Sequence, residues 1–110
     1  MQTAIKTALL PEVDEDGLLL DPIQWDKTMA ERLAHMMGID KLSYEHWLVI
    51  HSLRHYFNEF GVAPAMITVC HHHHKDGLWI HNLFGTCLNA WRVAGLPDPG
   101  EEAKSYLSDM

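Results

Sequence analysis

The run Val93-Ala94-Gly95-Leu96-Pro97-Asp98-Pro99-Gly100 constrains this chain most. An apolar helical stretch runs into Gly95, the residue type that most readily ends a helix in left-handed backbone, and Pro97 and Pro99 then bar a further helical turn. The polar residues that follow, closing on Tyr106-Leu107-Ser108-Asp109-Met110, are expected to leave the body as a projecting C-terminal arm over residues 97–110. The body must therefore be built from what precedes Gly95.

Helical punctuation recurs upstream. Asp21-Pro22 reads as an N-cap with proline at the first helical position, and Trp25, Met29, Leu33 and Met36 follow at helical spacing until Gly38. Ser43 caps the next helix, with Glu45 in its first turn, and an apolar stripe through Trp47, Ile50, Leu53, Phe57 and Phe60 runs to Gly61. Pro64 opens a shorter helix through Met66, Ile67, Val69 and Cys70. From Leu78 to Val93 the residues Trp79, Leu83, Cys87 and Trp91 recur every fourth position beside Ile80, Phe84 and Leu88, which predicts a central helix, kinked or broken at Gly85. Near the N-terminus, two short apolar stretches flank Asp14-Glu15-Asp16-Gly17, a composition suited to a tight reversal, and a β-hairpin is expected over residues 3–20. The fold expected is α+β and mainly helical: a small hairpin on an orthogonal bundle of four or five helices, helix-turn-helix-like in its short connections.

A chain of 110 residues fits one domain, residues 1–110, which buries roughly 65% of its unfolded surface. Its apolar runs are too short to span a membrane and the first ten residues lack the pattern of a secretory signal, so a cytoplasmic location is expected. The net charge of -7 disfavours nucleic acid as a partner and favours a protein. Cys70 and Cys87, far apart in a cytoplasmic chain, are expected to be reduced thiols.

Taken in order, these motifs resemble the DsrC/TusE family of small sulfur-relay proteins. The resemblance covers roughly residues 13–99 and is carried by Asp14-Glu15-Asp16-Gly17-Leu18-Leu19, Trp25, Gly38-Ile39, and Ser43 through His46-Trp47. It continues through Leu53-Arg54-x-Tyr56-Phe57-x-Glu59-Phe60, Ala63-Pro64-Ala65, Leu83-Phe84 and Ala94-Gly95-Leu96-Pro97-x-Pro99. In that family a penultimate cysteine on the arm accepts sulfane sulfur as a persulfide and passes it on by exchange at sulfur, and one branch adds a second cysteine three positions before Ala-Gly-Leu-Pro. Here Trp91 occupies the upstream position and Asp109 stands where the terminal cysteine would be sought. The family's Phe-Pro-x-Gly-Pro turn is replaced by Phe84-Gly85-Thr86-Cys87, and the basic residue usual after Pro-Ala by Ile67. Arg54 and Tyr56 match family positions beside the arm's docking groove, so the resemblance implies that they, with Pro97 and Pro99, contact the arm or a partner.

Several side chains carry two readings. Cys87 is a core residue of its stripe or a relocated sulfur acceptor, and Cys70, beside His71, His72, His73 and His74, is a helix-end core residue or an activated thiol. The histidine tract with His81 is a solvated, pH-sensitive run or a weak metal site, and His51, His55 and Glu59 are a polar helix face or half of one. An exposed Trp79 or Trp91 would indicate a protein contact. The expectation is a partner-binding or regulatory, non-catalytic protein of a sulfur-relay or sulfite-reductase system, without cofactor. The alternatives are a sulfurtransferase using Cys87 or Cys70, and a metal-responsive regulator using His71 to His74.

Overall fold

The computed structural model describes residues 11–110. Six α-helices follow a short 3₁₀ turn over Pro22–Gln24: α1 (Lys27–Met36), α2 (Tyr44–Phe60), α3 (Met66–His72), α4 (Trp79–Phe84), α5 (Cys87–Val93) and α6 (Glu101–Asp109). None of them is long and apolar enough to cross a membrane.

The first helix starts later than its sequence suggests. Asp21 does accept from the Ile23 amide, but it caps only the 3₁₀ turn, and Asp26 caps α1 by accepting from the Met29 amide. Trp25 lies in extended backbone between the two, which frees its indole to face α5 instead of following the helix. In α2 the Ser43 hydroxyl accepts from the His46 amide while His46 Nδ1 accepts from the Ser43 amide, a reciprocal box in which histidine takes the place of the usual glutamate. Glu45 is thereby left to accept from Trp79 Nε1 at 2.6 Å, tying α2 to α4. The predicted Leu78–Val93 helix is broken at Gly85, whose φ of +89° ends α4, and Thr86 caps α5.

The expected N-terminal β-hairpin is not formed among the described residues. Residues 3–10 of that segment lie outside them, and residues 11–20 make one isolated antiparallel bridge, Val13 to Leu19. The Asp14 carboxylate accepts from the amides of Asp16 and Leu18, turning the chain at once, and Leu18 and Leu19 are both buried, so the in-out alternation of a strand is absent. The reversal predicted at Asp14–Gly17 is present; the strands are not.

One core is assembled from all six helices, centred on Leu33, Ile50, Leu53, Ile80, Trp91 and Leu107, all fully buried. Leu107 belongs to the segment expected to project. Instead α6 packs on α5, because Ala103, Leu107 and Met110 fall on one side of the helix and cover the apolar surface left by α5. The C-terminal arm is a docked helix.

Candidate functional site

The site is the junction at which α5 passes into the C-terminal segment. Gly95 has φ of +68°, and a Cβ there would stand 2.0 Å from Trp25 Cδ1, so only glycine admits the indole against the backbone. Trp25 Nε1 donates to the Val93 carbonyl at 2.9 Å. Arg54 of α2 stacks its guanidinium 3.8 Å from the Trp25 ring centroid and donates from Nη1 to the Ala94 carbonyl at 2.6 Å. Trp91 Nε1 donates to the Pro97 carbonyl at 2.7 Å. Two indoles and one guanidinium thus hold the carbonyls of Val93 and Ala94, which the helix end leaves without intrahelical donors, and that of Pro97 just beyond it. Beside this junction runs an open groove of about 520 Å³ between α2 and residues 95–97.

Beyond the junction, Lys104 anchors α6. Its ammonium contacts Asp16 at 2.8 Å, Asp98 at 3.0 Å and Glu101 at 2.9 Å, bridging the N-terminal turn, the Pro-x-Pro segment and the helix. Hydrogen bonds from the ammonium to these carboxylates raise the pKa of Lys104, and the Gly100 amide and Lys104 lower that of Asp98. Tyr106 Oη reaches the Pro64 carbonyl at 3.4 Å, and the His81 ring is hydrogen-bonded to Met110 at the chain end. Asp109 is exposed on the outer side of α6.

Neither thiol is at the surface. Cys70 is 0% and Cys87 1% exposed. Burial, with a smaller contribution from Cys70, pushes the Cys87 thiol up to about 11, so it is protonated at neutral pH. Trp79 and Trp91 are buried too and offer no outer contact surface. Tyr56 packs on Phe60 with ring centroids 4.6 Å apart, and Pro99 lies beside the outer face of α6. Of the four residues expected to contact the arm or a partner, Arg54 and Pro97 meet at the junction, whereas Tyr56 and Pro99 lie outside it.

The histidines diverge. His71 and His72 are exposed at the end of α3, His73 Nε2 meets the Ser52 hydroxyl at 2.7 Å, His74 turns away in left-handed backbone at φ of +60°, and His81 faces the chain end. Burial first, and then the charges of His72, His74 and Lys75, lower the pKa of His73. His51, His55 and Glu59 are exposed along α2. Among the described residues no three histidine, cysteine or carboxylate side chains converge on a point that would hold an ion.

The family pattern described as DsrC-like protein matches residues 7–101, nearly the whole chain. The chain belongs to the DsrC-like family. It is 33% identical to the sulfurtransferase TusE of Salmonella choleraesuis (strain SC-B67) over 95 residues, 78% of this chain and 86% of that one. Its fold superposes on the oxidized gamma-subunit of dissimilatory sulfite reductase (DsrC) from Archaeoglobus fulgidus with a TM-score of 0.72 at 35% identity, covering 83% of this chain and 90% of the other. A chain in the structure of dissimilatory sulfite reductase I (DsrI) gives a TM-score of 0.73 at 29% identity over 83% and 89%. The match ends at Glu101, the first residue of α6, so the residues of the junction lie within the family match while residues 102–110 lie past it.

Sequence reasoning missed the Trp25 indole bond, the Glu45 to Trp79 bond and the triple anchor of Lys104. Glu101 three residues before Lys104 is a legible helical pair, but Asp16 is 88 residues away and nothing local announces it.

Proposed function

We propose that this DsrC-like chain is an accessory protein of sulfur metabolism that binds a protein partner of a sulfur-relay or sulfite-reductase system and carries no sulfur itself. Its relatives, a sulfurtransferase and a sulfite reductase gamma-subunit, supply the sulfur context. The observation that carries the non-catalytic part is the placement of both thiols inside the core, with no cysteine in residues 97–110. A sulfur carrier needs a thiolate that a donor can reach; both thiols are buried out of reach, and Cys87 is also held protonated. The action then lies in the cytoplasm, through a surface that includes the outer face of α6, where Glu102, Ser105 and Asp109 are exposed.

The test is intact-protein and peptide mass spectrometry after exposure to a persulfide donor, with Cys70→Ala and Cys87→Ala alongside. The expected result is no added sulfur on the native protein, with uptake appearing once urea unfolds it. Sulfur mapped to either cysteine of the native protein, at a rate well above that of the denatured control, would make it a carrier with a relocated thiol. Binding to a sulfite reductase or sulfurtransferase subunit should survive the double alanine variant, as long as that variant retains its helical circular dichroism.

A further inference from the structure

The groove between α2 and the junction has a chemistry that the partner-binding reading does not use. His51, Arg54, His55 and Asn58 fall at i, i+3, i+4 and i+7, so they form one stripe along α2, and all four line this groove opposite Leu96 and Pro97. Among the described residues no carboxylate lines it, in a chain whose net charge is -7. The surroundings of Arg54 are equally lopsided. One N–H is committed to the Ala94 carbonyl and one face of the guanidinium covers the Trp25 ring, yet among the described residues no Asp or Glu lies within salt-bridge distance of it. Partial burial disfavours its charge without a counter-ion to offset the loss, and lowers its pKa. Since no buried side-chain nitrogen or oxygen among the described residues lacks a partner, the uncommitted N–H groups of Arg54, a residue that lines the groove, are accessible to solvent.

A guanidinium fixed by stacking and by one hydrogen bond keeps its remaining fork of donors pre-organised, the arrangement suited to two oxygens of one anion. Two imidazoles and an amide on the same stripe add further donors around it. We propose that this groove is a binding site for a small oxyanion of the sulfate, phosphate or carboxylate type, held by Arg54 with His51, His55 and Asn58 as further donors. Such a group reaches the groove either as a free ion or as the side chain or terminus of another protein. Because Arg54 also holds the Ala94 carbonyl, an anion there would tighten the junction from which α6 departs.

The experiment is an NMR titration of the full chain with sodium sulfate, sodium phosphate and sodium acetate at constant ionic strength, against sodium chloride. The Arg54 Nε–H and the Trp25 indole N–H are followed. Site-specific shifts are needed because sulfate raises the stability of proteins in general through exclusion from their surface. Saturable movement of both signals by at least one oxyanion, in the millimolar range or tighter, and none by chloride, is the expected result. Asn58→Asp leaves Arg54 in place and sets a negative charge in the groove, so it should weaken binding by about tenfold or more. His51→Gln with His55→Gln should weaken it less, and Arg54→Lys should keep a weaker, non-bidentate response. Saturation by acetate but not by sulfate or phosphate would identify a protein carboxylate as the source of the group, and saturation by the inorganic ions would identify a free anion. Shifts that grow linearly for all three salts, or that persist unchanged in Asn58→Asp, would overturn the proposal.

Discussion

Gly95→Ala tests the junction most directly. The new methyl would meet Trp25 at 2.0 Å from Cδ1, 2.6 Å from Cγ and 2.8 Å from Nε1, distances that no small adjustment accommodates. The indole cannot simply retreat, because the Arg54 guanidinium lies 3.8 Å from its ring centroid and its own N–H is bonded to the Val93 carbonyl. Three costs add. Left-handed backbone costs an alanine about 1–2 kcal/mol, forcing a methyl into packed surroundings costs about 1–3 kcal/mol, and losing the indole hydrogen bond costs about 1 kcal/mol. The sum of about 3–6 kcal/mol is a large share of the roughly 5–15 kcal/mol by which a domain is stable. Gly38→Ala is the control, since Gly38 has φ of +85° but no atom within 4 Å of the added methyl, so it should cost only the backbone part, about 1–2 kcal/mol. Urea unfolding followed by circular dichroism measures both. In a Trp25→Ala background, Gly95→Ala should fall to about the Gly38→Ala value. If the two glycine variants differ by less than about 0.5 kcal/mol in the parent chain, near the error of such comparisons, the close approach of Trp25 to Gly95 is wrong.

Other consequences follow from the docked helix and from the histidines. Leu107→Ala removes a fully buried side chain and should destabilise α6 docking by about 2–4 kcal/mol. A nine-residue helix is marginal in water on its own, so its amides should lose hydrogen-exchange protection before those of α2 and α5; free exchange of α6 in the parent chain would show an undocked arm. For His73 the pKa is lowered in the folded chain, so the unfolded state takes up the proton first. Its contribution to stability is therefore complete above a pH of about 6.5 and is lost as pH falls through the folded value. Relative to His73→Gln, the parent should lose stability between neutral and mildly acidic pH, and a parent that gains stability over that interval would contradict the assignment. Lys104→Met removes the ammonium shared by Asp16, Asp98 and Glu101 and should raise the pKa of Asp98, read by NMR titration of its carboxyl carbon; an unmoved value would mean that the three-way anchor is not formed.

Local chemistry determined much of this protein from its sequence. Ser43, Gly61, Gly85 and Gly38 mark helix limits because capping and left-handed termination depend on a few neighbouring backbone groups, and the order of motifs from Asp14 to Pro99 sufficed to indicate the family. Sequence also located the break at Gly95 and the absence of a cysteine from residues 97–110. It erred where a local signal competed with a distant one. Asp21-Pro22 is a sound helix start, yet Trp25 is drawn out of the helix by the Val93 carbonyl, and two apolar stretches around a turn suggest strands although Leu18 and Leu19 both go inward. The tertiary structure alone decided that the C-terminal segment docks, because Leu107 and Lys104 find α5 and Asp16 only once the chain has folded. It likewise decided that Arg54 stands without a carboxylate among the described residues: a side chain's partners are set by which helices meet, and helical periodicity specifies a face without specifying what lies opposite.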